Sequence, residues 1–222
     1  MKRRILIITT LAVTLTAFTN CKEKENQTTT TEAQEVAEAP VVAVSYEVDV
    51  TASNILWKGF KPLESHNGDI QLASGSVAME NGNITAGKFT VDMNSINNLD
   101  MEGGGKQSLE AHLKGTAEGK EDHFFNVAEY PYASFEMTGI AEVEGKTMLE
   151  GNLTIKDKTH NIQFPVSINT SDTQVMINSE PFTIDRTQWG VNYGSKSIFE
   201  DLGDKFINDD IELTVSLVAN KA

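Results

Sequence analysis

From Ser45 onward apolar and polar residues alternate along the chain. Tyr46, Val48 and Val50 share one face, with Glu47, Asp49 and Thr51 on the other. The run Lys88 to Asn94 alternates cleanly, and Leu149, Leu153 and Ile155 share a face with Gly151. His160 to Ile168 repeats the pattern, and Ile211, Leu213, Val215 and Leu217 oppose Glu212, Thr214 and Ser216. A period of two argues for strands with one wet and one apolar face. Asn81-Gly82 and Glu144-Gly145 read as turns between such runs, and Asp157-Lys158 as another hairpin turn. About eight runs fall between Ser45 and Ala219, and an antiparallel sheet of that width loses its edges by closing. The expected fold is all-β, an antiparallel eight-stranded barrel with one or two short helices. Lys106 to Lys114 is the first helical segment, with Leu109 and Leu113 on one face. Glu121 to Val127 is the second, with Asp122 as its N-cap. A barrel of this size either fills with its own side chains or holds one small ligand; the pattern leaves both open.

The stretch HFFNVAEYPYASFEM, His123 to Met137, breaks the alternation. Pro131 excludes a continuous helix. The stretch reads as a turn that carries Phe124 and Phe125 inward, is closed by Tyr130-Pro131 and leads into a strand. Whether the two rings line a lumen or plug a core stays open.

The first residues differ in kind. Lys2-Arg3-Arg4 precedes a mostly apolar run, Ile5 to Phe18, that is short for a membrane span and fits an export signal over 1–20. Cys21, the only cysteine, follows FTN in a bacterial lipobox-like context, so lipidation at Cys21 is expected. More than one acyl chain anchors stably. The segment 21–44 is charged and Thr-rich, too poor in large apolar residues to offset its ordering entropy, and reads as a disordered tether. The domain is 45–222. These expectations give a cell-envelope location, an outer-membrane lipoprotein facing periplasm or cell surface.

Net charge narrows the partners. At −14 the chain repels phosphate backbones, so nucleic acid is not expected. His66, His112, His123 and His160 lack zinc-type spacing, so no metal is expected. Asp209-Asp210 has no third ligand nearby in sequence. MEGGGKQSL lacks the ending of a phosphate loop, and its glycines read as a loop before the helix. No GxSxG elbow is present, and no carboxylate pair stands out for acid/base work. No catalytic residue, enzyme activity or cofactor is expected. Arg186, in Asp185-Arg186-Thr187, either pairs with a nearby acid at a strand end or is a head-group contact through forked hydrogen bonds.

Several separate stretches, in order, resemble the YceI-like family: YEVDVTASNILWKG, SHNGDIQLASGSV, GKFTVDMNSI, LEAHLKG, HFFNVAEYPYASFEM, GNLTIKDKTHNIQFPV, FTIDRTQWGVNYGS and LGDKFINDDIELTVSL. The resemblance spans about Tyr46 to Val218. It implies an exported, lipocalin-like barrel whose lumen binds a long apolar chain, a polyisoprenoid or related amphiphilic lipid, without enzyme chemistry. On that reading Trp57, Phe89, Val91 and Met93 line the lumen from the first half of the chain. Phe124, Phe125 and Phe135 follow, and Phe182, Ile184, Trp189 and Tyr193 complete the ligand-binding set. The alternative is an interaction module, a filled barrel on a stalk that binds an envelope protein or glycan. The sequence does not assign an oligomeric state.

Overall fold

The computed structural model describes residues 27–222. The export signal expected over 1–20 and the lipidation expected at Cys21 lie outside the described residues. The strands are β1 (Thr30–Glu32), β2 (Val44–Val48), β3 (Asn54–Phe60), β4 (Ser65–Ile70), β5 (Leu72–Glu80), β6 (Asn83–Asp92) and β7 (Asn97–Asn98). After the helix α1 (Gly103–Lys114) come β8 (Tyr132–Val143), β9 (Lys146–Ile155), β10 (Lys158–Thr170), β11 (Gln174–Ser179), β12 (Phe182–Asp185) and β13 (Asp210–Lys221).

The sheet closes into an eight-stranded antiparallel barrel with one α-helix among the described residues. Three of its staves are broken strands. β2 continues as β3 after a turn in which Asp49 accepts from the Thr51 and Ala52 amides, and both pieces pair with β13. β4 continues as β5 around Gln71. β11 continues as β12 around Pro181, which has no N–H to donate to a ladder. Closure runs through β11, paired with β10 on one side and β13 on the other. Asn81-Gly82 and Glu144-Gly145 have positive φ at both positions, the two-residue turn that matches strand twist. The third hairpin turns at Lys156-Asp157, one residue earlier than the sequence indicates, because Ile155 pairs with Lys158.

Two helical expectations are corrected. The helix starts at Gly103 rather than Lys106, so the glycines form its first turn. The stretch Glu121 to Val127 is a series of turns, not a helix. Its amides are used elsewhere: Phe125 N–H donates to the Leu113 carbonyl at 3.1 Å and Val127 N–H to that of Lys114 at 2.9 Å. These bonds satisfy carbonyls that a helix end leaves unpaired. Asn126 takes a positive φ of 46°, and Asp122 accepts from the Asn126 side chain instead of capping.

The segment before the barrel also departs from the expected disordered tether. Gln27 bridges to Thr183 of β12, and Thr28 N–H donates to the Thr183 carbonyl at 2.9 Å. β1 then pairs with His160 to Ile162 of β10. Gln27 to Glu32 thus lies between β10 and β12 where those strands do not pair with each other. The chain next crosses the outside of β9 and β8. Gln34 N–H donates to Asn152 Oδ1 at 2.9 Å, Asn152 Nδ2 returns a bond to the Gln34 carbonyl at 2.7 Å, and Ala37 N–H reaches the Met137 carbonyl at 2.8 Å. That carbonyl sits at a register shift between Met137 and Gly139. Composition measures what a segment buries; these are directional bonds to an already folded wall, which composition does not register.

Candidate functional site

Along β9, β10 and β13 the alternation points Leu149, Leu153 and Ile155, then Ile162, Phe164 and Val166, then Ile211, Leu213 and Val215 into the barrel. They enclose a cavity of about 240 Å³, just below the ~300 Å³ at which small-molecule sites usually begin. That volume suits one slim chain rather than a bulky ring system. Val91, Phe135, Leu153, Ile155, Ile211, Leu213 and Val215 face inward yet are only partly buried. Inward residues of a filled barrel would be sealed; these touch empty space.

The barrel is filled at one end and hollow at the other. Tyr46, Val77, Met79, Met137, Val175 and Ala219 are buried and pack the far end without lining the cavity. Above them Phe164 stacks on Phe182 at 4.2 Å between centroids, and Phe135 tilts against Phe164 at 5.7 Å. Gly151 makes this layer fit: a Cβ there would stand 2.2 Å from the Phe135 ring.

The hollow end is capped by α1 and the His123 to Asn126 turns. Leu109 and Leu113 look into the cavity from α1. Gly115 ends the helix at φ 72°, and a Cβ on it would lie 2.3 Å from the Glu121 carbonyl, so only glycine admits the returning loop. Phe124 is buried and meets His112 edge-on at 5.1 Å, while Phe125 is partly exposed. Both border the cavity. His112 and His123 share a hydrogen bond of 2.8 Å, and Tyr193 stacks on His123 at 4.0 Å. Burial, the charges of Lys120 and His123, and that of Lys61 hold the His112 pKa below its ordinary value of 6.5.

Trp57, Phe89, Val91, Met93, Phe135, Phe182, Ile184 and Trp189 border the same cavity as Phe124 and Phe125. Tyr193 does not; it belongs to the cap's outer layer and is 38 % exposed. Trp57 and Trp189 pair their indole N–H groups with the Asp69 and Leu153 carbonyls, so each offers the lumen an apolar face. Ile55, Leu153, Leu213 and Val215 also border the cavity but were not in the expected ligand set; alternation put the last three on apolar faces, yet it named no inward face until the register was fixed.

Arg186 is 2 % exposed and lies at the cavity's edge. Nε donates to the Asn208 carbonyl at 3.1 Å, Nη2 to that of Ile207 at 3.2 Å, and Nη1 to that of Val191. Asp209 Oδ1 stands 3.7 Å from Nη2, an ion pair too long to be a hydrogen bond. Burial lowers the guanidinium pKa, with Asp209 and Asp185 opposing that shift. With three of its five N–H donors given to carbonyls, Arg186 ties the 191–209 loop to the barrel. Among the described residues no cluster of metal-ligating side chains occurs, and no helix is long and apolar enough to cross a membrane.

A sequence profile described as the YceI-like domain matches residues 46–219. The chain is similar in fold to BcnA of Burkholderia cenocepacia, at 21 % identity and a TM-score of 0.59, over 78 % of this chain and 99 % of that one. It is also similar to a polyisoprenoid binding domain from Saccharophagus degradans implicated in plant cell wall breakdown. That likeness has 14 % identity and a TM-score of 0.55, over 81 % of this chain and 99 % of the other. Comparison with curated proteins gives no match.

Proposed function

Because the chain belongs to the YceI-like domain family, we propose that its barrel carries one long apolar chain, a polyisoprenoid or related amphiphilic lipid, from an anchor on the cell envelope. The observation that carries this reading is the partly exposed inward face of the hollow half. Leu153, Ile155, Leu213 and Val215 offer apolar surface with no polar partner to satisfy, so a hydrocarbon is the fitting occupant. Each methylene buried there contributes about 0.8 kcal/mol, so ten contribute roughly 8 kcal/mol before association costs. Such binding needs few directional bonds, and head-group selectivity is weak. The name of the Saccharophagus domain supports an isoprenoid as the first chain to try.

The anchor reading rests on Cys21 after FTN. It places the protein as a lipoprotein of the envelope, held by acyl chains at the membrane. Protein purified from its own envelope is extracted with organic solvent, and the extract and the intact protein are examined by mass spectrometry. An isoprenoid or long acyl chain in the extract, and added acyl mass at the amino-terminal cysteine, are the expected results. An empty extract, together with no uptake of either chain after delipidation, overturns the carrier reading. An unmodified Cys21 overturns the anchor.

A further inference from the structure

Polar side chains are few around the cavity, and they gather in one place. Among the described residues that border it, the charged, amide or hydroxyl side chains are Lys61, His66, Ser179, Arg186 and Asn208. No aspartate or glutamate borders the space, in a chain where 32 acids face 18 lysines and arginines. Ser179, on β11, is already engaged, accepting the Val215 amide at 2.8 Å. The other four converge on one corner.

The backbone sets that corner. Gly59 of β3 pairs with His66 of β4 on one side and with Ile211 of β13 on the other. Lys61 follows at the tip between β3 and β4. Asn208 N–H donates to the Phe60 carbonyl at 2.8 Å, and Arg186 Nε donates to the Asn208 carbonyl at 3.1 Å. The Arg186 guanidinium lies 6.0 Å from the centre of the Phe124 ring. His112 on α1, whose pKa burial lowers first, also feels the Lys61 charge. The corner therefore stands beside the cap, at the hollow end.

The groups left over there are mostly donors. The Asn208 side-chain amide has no hydrogen-bond partner among the described residues. Lys61 gives one bond, to Glu64 at 2.6 Å, and an ammonium has three to give. His66 Nδ1 meets Asp100 at 2.9 Å, which leaves Nε2. Arg186 keeps the N–H groups that its three carbonyls do not take. Glu64, Asp100 and Asp209 stand behind Lys61, His66 and Arg186, and none of these acids borders the cavity. A molecule in the lumen meets the donors first.

We infer that this corner seats an acidic, oxygen-rich head, a carboxylate or a phosphate ester, carried by the apolar chain that fills the lumen. The inference rests on the carrier reading above and adds a direction to it. The head lies beside the cap, at Lys61, His66 and Asn208, and the tail runs toward the Phe164–Phe182 layer. An ionised oxygen accepts from an ammonium or an amide through a charge-assisted bond, a gain that a hydroxyl head lacks. The Lys61 side chain is 39 % exposed, so water screens part of its charge. The preference is therefore modest, about fivefold in Kd, and the hydrocarbon supplies most of the affinity.

Three probes with one dodecyl tail test the seat: tridecanoate, dodecyl phosphate and dodecanol. Each is titrated by calorimetry into delipidated chain, below its micelle-forming concentration. The tail is common, so ratios of Kd report the head alone. At least one acid is expected to bind about fivefold more tightly than the alcohol. The tighter of the two acids tells a carboxylate from a phosphate ester. Asn208→Leu and Lys61→Met are each expected to bring that ratio within about twofold while the Kd of dodecanol holds. Should Asn208→Leu not fold, Lys61→Met, at an exposed tip, carries the comparison. The side-chain amide resonance of Asn208 is expected to shift with the acid and not with the alcohol. Equal Kd for all three probes, a tighter alcohol, a ratio unchanged in the variants, or no binding of any probe overturns the seat. The carrier reading is decided separately, by the solvent extract and by uptake of a polyisoprenoid.

Discussion

Gly151 and Phe135 show how single positions set the bore. Gly151 lies on the inward face of β9 with the Phe135 ring directly over it. Gly151→Ala forces that ring toward the cavity or lifts the strand, at a cost of about 1–3 kcal/mol as for other overpacked cores. Thermal unfolding is expected to begin several degrees lower, and Gly151→Ala with Phe135→Leu to recover most of the loss. An unchanged transition would mean the ring is not held there. His112 makes a second prediction at this scale. Its pKa is lowered in the folded protein, so the unfolded chain binds the proton more readily. The stabilisation is complete above about pH 6.5 and is lost as pH falls through the lower folded value. Protonation sets a charge beside His123, Lys120 and Lys61, so the protection of the cap amides Phe125 and Val127, measured against their intrinsic exchange rates at each pH, is expected to fall below about pH 6.5. His112→Gln should flatten that dependence. The rings at Phe124 and Phe125 were legible as inward-going because Pro131 marks a turn and aromatic side chains seek burial. How deeply each ring is buried depends on the 119–127 backbone path, fixed by α1's last carbonyls.

At the scale of elements the strands were the legible part. Alternation, and Asn-Gly and Glu-Gly at the turns, mark them with local chemistry alone. The two misread segments fail for one shared reason: their bonds are long-range. The residues from Glu121 to Val127 have the composition of a helical turn, but Phe125 and Val127 donate to Leu113 and Lys114 instead. The Thr-rich segment around β1 has too little apolar surface to order itself, yet β10 and the Asn152–Asn161 pair supply partners once the barrel exists. Asn152→Ala should therefore act mainly on this element. It removes both bonds to Gln34 and one from Asn161, and costs about 1–3 kcal/mol in groups left unpaired. Faster hydrogen exchange at Gln34 and Ala37, with β6 and β13 unchanged, is the expected result. Equal acceleration across the barrel would make the segment part of the core rather than a layer on it.

For the whole molecule, one end is packed solid by Tyr46, Val77, Met79 and Met137, and the other is left hollow beneath a thin cap. The solid end stabilises the barrel, so the hollow end can accept a ligand without carrying the fold. The family was legible from the ordered stretches between Tyr46 and Val218. The hollow was not, since a few ring rotamers decide between filled and open. The central claim is that the hollow half holds an apolar chain, and filling it tests that claim most directly. A polyisoprenoid alcohol is titrated by calorimetry into delipidated chain and into Leu213→Trp, with Val91→Phe as a smaller substitution should the first not fold. The account predicts one equivalent bound by the parent chain and binding at least about tenfold weaker, a loss of ~1.4 kcal/mol, in a folded lumen variant. Equal binding by both, or none by the parent, would contradict it.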